Sequence, residues 1–217
     1  MKQMWKDTLI LFVITLISGL ALGAVYLVTK DPIAAQQEKK KANAYHAVFE
    51  DADSFEDDEN FDAAQARTVL DQVQDADYSE EEITMIASAL SDSGELLGYV
   101  VTVTTHAGYG GDITFSVGIR VDGTINGVSI TDISETAGLG MKAPDELAPQ
   151  FAGKTTQNRF TVTKTGATYP SEVDAISGAT ITSNAVTDGV NAGIVYCLYV
   201  MEQNGISVDS AGGALYE

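Results

Sequence analysis

Residues 96–133 read LLGYVVTVTTH, AGYGG, DITFSVGIRV, DG and TINGVSITDI in succession. The first stretch, 96–106, is rich in β-branched and aromatic residues, the composition of a strand. Gly108-Tyr109-Gly110-Gly111 breaks that pattern. Alternation resumes over 112–121, with Ile113, Phe115, Val117 and Ile119 falling on one face of an extended chain. Asp122-Gly123 is a two-residue hairpin signal, because Asp-Gly suits the positive φ of tight hairpin turns. Residues 124–133 are then the return strand, and the whole reads as a three-stranded antiparallel unit.

Downstream, Phe160–Thr163 is a further short strand. From Ser183 the chain reads SNAVTDGVNAGIVYCLYVMEQ, with Val186, Val190, Ile194, Leu198 and Met201 recurring at three- and four-residue steps. That period predicts a helix with one apolar face. Strands followed by a terminal helix point to an α+β domain. Upstream, residues 63–77 suit a short helix with Ala64, Val69, Leu70 and Val73 inward. Before it, EDADSFEDDENFD (50–62) is an acidic run read as a solvated loop, since it has neither the central Gly nor the final Glu of a calcium loop.

Near the N-terminus, Thr8–Thr29 contains no charged residue over 22 positions. A helix of that length at about 1.5 Å per residue reaches roughly 33 Å, enough for a hydrocarbon core of about 30 Å. Signal-peptide apolar regions are shorter, at about 7–15 residues, so an uncleaved single-pass anchor is the preferred reading. Residues 31–43 follow as a juxtamembrane helix or stalk with Pro32 near its start. Its lysines suit either anionic lipid or solvent. By Lys and Arg alone, Lys30, Lys39, Lys40 and Lys41 after the span, against the amino terminus, Lys2 and Lys6 before it, mildly favour a cytoplasmic C-terminal side.

Charge narrows the function. The 217 residues carry 12 Lys plus Arg against 31 Asp plus Glu, a formal charge of −19. Residues 1–41 hold six lysines and three acids, a net of +3, which leaves −22 on the remainder. A free-standing nucleic-acid binder needs the opposite sign. One cysteine, Cys197, and two distant histidines, His46 and His106, exclude an internal disulfide, a four-cysteine zinc site and an iron–sulfur cluster. Cys197 reads as a buried inert thiol and His106 as structural. Redox chemistry in this chain therefore needs an organic cofactor.

The segment DAISGATITSNAV (174–186) is the richest in chemistry. Ser177-Gly178 permits a tight turn, Ala179 is small, and Thr180 offers a hydroxyl. Thr182 or Ser183 is suited to cap the helix that follows. The helix start creates an anion site beside Thr180. On this logic alone, an ordinary capped helix after a turn remains open beside a phosphate site.

Asp174-x-x-Ser177-Gly178-Ala179-Thr180-x-Thr182 resembles the flavinylation signature of covalent FMN-binding domains, in which the last threonine of S/T-G-A-T is esterified to the FMN phosphate. Glu135-Thr136-Ala137-Gly138-Leu139-Gly140-x-Lys142 is similar to the E-T-P-G-L-G-x-K segment of the G subunit of Rnf complexes, ion-translocating ferredoxin:NAD oxidoreductases. Gly108–Ile113, followed by a V-G-I strand and a D-G turn, resembles the same family, as does the single N-terminal span. The resemblance covers about residues 8–200, and the chain departs from it at Ala137, where the family usually has proline.

The resemblance implies a membrane-anchored electron-carrier subunit of a redox translocase with no catalytic residue of its own. FMN is expected on Thr180 through a phosphodiester, placed there by a separate flavin transferase using FAD and magnesium. Ser177, Gly178, Ala179 and Asp174 are the expected recognition residues, Asp174 for the transferase or its magnesium, and no metal site is expected in the chain itself. Thr182, Glu135, Thr136, Gly138, Leu139, Gly140, Lys142 and Tyr109 complete the implied cofactor site. Leu139 is the apolar contact to the isoalloxazine, Lys142 a counter-charge for phosphate or reduced ring, Glu135 a hydrogen-bonding partner of the loop, and Tyr109 and Tyr169 candidate stacking partners.

The implied architecture is α+β: one transmembrane helix followed by an FMN-binding domain with an antiparallel sheet and flanking helices. Its parts are an anchor over 1–30, a juxtamembrane helix and acidic linker over 31–62, and the FMN-binding domain over 63–217. Implied partners are the other Rnf membrane subunits, the flavin transferase and membrane lipid. The family places the soluble domain outside the cell (inner) membrane, against the weak lysine count; the extent of the resemblance outweighs three lysines. The same signature fits the C subunit of the sodium-translocating NADH:quinone oxidoreductase and stand-alone flavinylated proteins of extracellular electron transfer. A non-redox anchored adhesion or scaffold domain is the alternative of a different class.

Overall fold

The structure, a computed structural model, describes residues 2–208. The chain divides into two compact units, at residues 1–42 and from Asn43 onward. The first unit is helical: helix α1 runs Lys2–Val48, and Pro32 lies inside it rather than opening a second helix. An apolar window of mean hydropathy 2.5 makes α1 long and apolar enough to cross a membrane. Trp5, Leu9, Phe12, Leu20, Leu22 and Leu27 are all exposed along it. Side chains of this type left bare on a helix without a packed partner match a lipid environment.

In the second unit the predicted three strands belong to a five-stranded antiparallel sheet in simple order. They are β3 (Leu96–Thr105), β4 (Ile113–Arg120) and β5 (Ile125–Ile133), preceded by β1 (Ser54–Asp57) and β2 (Glu81–Leu90). β1 corrects the reading of 50–62 as loop: Phe55 and its neighbours pair with β2, while the carboxylates face solvent. The Asp62 side chain accepts from the Ala64 amide at 2.8 Å and starts α2 (Ala63–Asp71). Ala66, Val69 and Leu70 turn inward from α2, and Ala64 stays exposed. A short parallel pair, β6 (Thr161–Thr163) and β7 (Glu172–Asp174), lies apart from the main sheet.

Helix α3 (Thr180–Gln203) starts three residues earlier than the apolar period predicts. The whole predicted face, Val186, Val190, Ile194, Leu198 and Met201, is buried, and so are Cys197 and the continuous run from Gly189 to Leu198 on every side of the helix. The helix lies on β3 and β4, where Gly189 lets the Phe115 ring approach: a Cβ there would be 2.7 Å from Phe115 Cζ. The sheet's other face carries a second cluster of Tyr45, Val48, Phe49, Ala52, Ala87, Ala89 and Val100. Burial on both faces explains why β4 is almost continuously buried rather than alternating. Asn126 Nδ2 donates to the Val48 carbonyl at 2.5 Å, and Arg120 pairs with Asp51 at 2.8 Å, so polar groups fasten residues 48–51 to the same face.

Candidate functional site

Three segments far apart in sequence meet at the start of α3. The first is the turn Ser177-Gly178, where Gly178 has φ +78°, the left-handed region that favours glycine. The second is the loop after β5: a Cβ on Gly178 would touch Leu139 Cδ2 at 3.0 Å, and one on Gly140 would lie 2.6 Å from Thr182 Oγ1. The third is the turn after β3, tied in by the Gly110 amide, which donates to Glu135 Oε1 at 3.1 Å. Between them lies a cavity of about 490 Å³ lined by Tyr109, Glu135, Thr136, Leu139, Gly140 and residues 178–182.

Thr180 is half-buried at this cavity on the first residue of α3. Neither Thr182 nor Ser183 caps the helix as expected; Ala179 holds the N-cap position and has no side-chain acceptor to offer. Ser183 Oγ instead donates to the Ala179 carbonyl at 2.9 Å and accepts from the Ile176 amide at 3.0 Å. It thereby locks the turn that presents Thr180. Without a side-chain cap the first-turn amides stay open to an anion, and the helix dipole favours negative charge there.

Of the other expected site residues, Gly138, Ser177, Lys142 and Asp174 are not part of the cavity lining. Lys142 Nζ pairs with Glu146 Oε1 at 2.9 Å, one helical turn on. Asp174 Oδ1 accepts from the Ala167 amide at 2.7 Å, and its own amide donates to Gln150 Oε1 at 2.7 Å. Ser177 is exposed, and Tyr169 is exposed away from the lining. Ile181, which the motif reading passed over, lines the cavity and is 53% exposed. Its signal was available: an apolar residue in the first turn on the polar side of the predicted helix period. Among the described residues no group of three or more His, Cys, Asp or Glu is placed to hold a metal.

The cavity fits a flavin mononucleotide. Its volume suits a cofactor-sized ligand. Gly140 and Gly178 leave a cradle that side chains would fill, Leu139, Ile181 and Tyr109 give apolar and aromatic wall, and the open helix start offers amides that would suit a phosphate.

Residues 108–195 match the FMN-binding domain family, and residues 1–48 match the RnfG N-terminal region. The chain is 34% identical over 194 residues to the G subunit of the Na(+)-translocating ferredoxin:NAD(+) oxidoreductase complex of Acetobacterium woodii, spanning 89% of this chain and 91% of that one. The chain belongs to the family of G subunits of ion-translocating oxidoreductase complexes. Other members include the G subunit of the proton-translocating ferredoxin:NAD(+) oxidoreductase complex of Clostridium ljungdahlii, 31% identical over 82% of this chain and 83% of that one. The G subunit of the ion-translocating oxidoreductase complex of Aliivibrio fischeri is 28% identical over 89% of this chain and 90% of that one.

In this G subunit the turn bearing Tyr109 is held at its base by His106. His106 Nδ1 lies 2.9 Å from Asp112 Oδ1, and Nε2 lies 3.6 Å from Glu82 Oε2. The hydrogen bond to Asp112, against a small opposing cost of burial, raises the imidazole pKa above its ordinary 6.5. A raised folded-state value means that this contact stabilises fully below the unfolded pKa of 6.5 and fades as pH rises through the folded-state midpoint. The His106 ring protons are expected to titrate with a midpoint above 6.5 by NMR, and Asp112→Asn to lower it. A wild-type midpoint at or below 6.5 would contradict this.

Proposed function

We propose that this chain is the membrane-anchored FMN electron carrier of an ion-translocating ferredoxin:NAD oxidoreductase complex, with FMN joined through its phosphate to Thr180 Oγ1. The observation that carries the reading is the meeting of the 108–111 turn, the 135–140 loop and the 178–182 turn around one half-buried threonine at the open end of a long helix. Family membership carries the rest: the chain is a single-pass membrane protein with an FMN-binding domain, and the other subunits of the complex are its partners.

Bound there, FMN supplies reversible electron transfer, while the protein contributes placement and charge. The first-turn amides of α3 and the helix dipole would offset part of a phosphodiester's charge. Leu139 and Ile181 would shield a bound ring from water, Gly140 lets the loop approach the helix start closely, Gly138 at φ +77° turns the loop, and Thr136 lines the cavity. Glu135 positions the Tyr109 turn through the Gly110 amide. Lys142 is paired with Glu146 outside the cavity lining, so serving as a counter-charge to the flavin requires that pair to open. The tether's physical value is retention: a shallow open site would lose a freely bound flavin, whereas a covalent bond keeps it while its ring stays accessible to partners.

The bond itself is the work of a separate flavin transferase. Thr180 Oγ1 bonds to the FMN-side phosphorus as the pyrophosphate bond of FAD breaks; AMP leaves and the hydroxyl proton passes to the transferase. Exposed Ser177, Gly178 and Asp174 are the surface that this enzyme and its magnesium recognise, and the buried methyl of Ala179 anchors the turn behind them. The globular unit lies on the extracytoplasmic side, and the Lys39–Lys41 cluster meets anionic lipid.

Co-expressed with a flavin transferase, the intact chain is expected to gain the mass of one esterified FMN, mapping to the peptide that contains Thr180, and to fluoresce after SDS denaturation. Colourless protein of unmodified mass would refute the reading.

A further inference from the structure

A second cavity of about 410 Å³ opens between α2 and the start of β2, with Arg67, Glu81, Glu82 and His106 in its wall. Most of its polar wall is already committed. Arg67 donates to Asp71 and to the carbonyls of Tyr78 and Glu81, and His106 is held between Asp112 and Glu82. Glu81 differs: it is 4% exposed, and the one side-chain hydrogen bond to its carboxylate is a long 3.3 Å contact from Thr105 Oγ1. Buried carboxylates are costly unless paired, and this one has no cationic partner on its oxygens among the described residues.

We infer that Glu81 is a proton-binding site linked to the redox state of the flavin cavity, loaded from solvent through this second cavity and connected to the flavin side through Thr105. The inference rests on the proposed seating of FMN. Thr105 Oγ1 donates to Glu81 and accepts from the Ala107 amide at 3.3 Å. Two residues beyond Ala107, Tyr109 lines the flavin cavity, and the Gly110 amide is fixed to Glu135 of the same lining. A hydroxyl has one proton to give. When Glu81 is ionised, Thr105 gives that proton to it; when Glu81 is protonated, Thr105 becomes an acceptor, and the bond that holds Ala107 changes in strength. Two hydrogen bonds thus join the buried carboxyl to Ala107, and two residues of backbone join Ala107 to the cavity wall at Tyr109.

Charge works in the same direction. Each electron delivered to the bound flavin by a one-electron donor adds one negative charge at that cavity. Glu81 answers by taking one proton from water or buffer: an O–H bond forms on its carboxylate, and no bond to the flavin is made or broken. The groups facing Glu81 make it ready to do so. Asp188 on α3, and Glu80 and Asp77 before β2, repel its charge; Arg159 is engaged with Asp188 and with the Tyr78 ring, and Arg67 bonds the Glu81 backbone carbonyl rather than the carboxylate. Burial first, then the Asp188 charge, push the Glu81 carboxyl up to about 7, where a modest change in local field moves the proton.

The test uses the full chain, flavinylated and in detergent. The flavin midpoint potential is measured across pH for wild type and Glu81→Gln, so that protons taken by the flavin itself cancel in the difference. The potential gap between the two is expected to change through the region around pH 7 and to level off on either side. A carboxylic-acid band should appear on reduction in the infrared difference spectrum of wild type and vanish in Glu81→Gln. Asp188→Asn, which keeps Glu81 and removes its main charged neighbour, should move the inflection to lower pH. A gap independent of pH in protein that carries the Thr180 adduct would overturn this inference alone; protein without the adduct would overturn it together with the FMN reading.

Discussion

The Thr180→Ala chain, produced beside an active flavin transferase, is expected to leave the cell without any flavin that survives denaturation. The effect is all-or-none, because the substitution removes the only atom proposed to hold the phosphate. Neighbouring hydroxyls are poor substitutes. Thr182 is buried against the Gly140 backbone, and Ser183 Oγ is committed to the Ala179 carbonyl and the Ile176 amide. Ser177 is exposed but sits before the left-handed Gly178, outside the first turn of the helix. Thr180 is only half-buried and makes no side-chain cap, so the fold should survive with a stability change within about 1 kcal/mol. Intact-mass and circular-dichroism measurements on the same sample check both halves. Thr180→Ser, which restores the oxygen, should recover the adduct in part. An FMN adduct retained by Thr180→Ala at unchanged yield would move the attachment elsewhere.

The largest expected loss of stability comes from a position remote from the flavin. Gly98 lies in β3 opposite Arg120, on the face where Phe49 packs. A Cβ there would lie 2.2 Å from the Ile119 carbonyl oxygen, 2.8 Å from Arg120 Cα and 2.8 Å from Phe49 Cζ. Two of those three neighbours are backbone of the adjacent strand, so relief requires β3 and β4 to separate. Ordinary overpacking costs about 1–3 kcal/mol, and Gly98→Ala should reach or exceed the top of that range. For a unit of this size each kcal/mol lowers Tm by roughly 2–4 °C, so a fall of about 10 °C is expected by calorimetry. Gly94→Ala is the control: its φ is +77° but nothing lies within 4 Å, which leaves a backbone cost of about 1–2 kcal/mol. Equal losses from the two would mean that the β3–β4 contact yields more than the geometry allows.

Where the sequence speaks clearly, physics leaves few competing choices. β3, β4 and β5 carry β-branched and aromatic residues, and Asp122-Gly123 turns the chain between the last two. β2 escapes a reading by pattern for two reasons. It is rich in Ala and Glu, which are weak strand formers, and a register shift between Ile83 and Met85 breaks its alternation. β1 is hidden by its acids: an edge strand with outward carboxylates looks like a solvated run, and those charges protect the edge from unwanted pairing. The early start of α3 is masked because Thr180–Ser183 is mostly polar, while the burial of Thr182 and Ser183 comes from tertiary contacts.

The site is legible in its parts but not in its closure. The S-G-A-T and E-T-x-G-L-G segments name most of the cavity wall. Ile181 needs the helix start to be known, and the outward pairing of Lys142 with Glu146 depends on a helical turn that the sequence pattern does not reveal. Glu81 is invisible as a buried acid, since three consecutive glutamates read as surface until β2 places Glu81 and Glu82 on opposite faces.

Sixteen of the 24 residues of α3 are buried, and Thr180 is its first residue. A cofactor fastened to that end hangs from a girder set deep in the molecule rather than from a swinging arm. Its thermal wander would be that of the interior, and tunnelling distance to a neighbour would be set by how the whole protein berths against that neighbour, with little left to chance in the linkage itself.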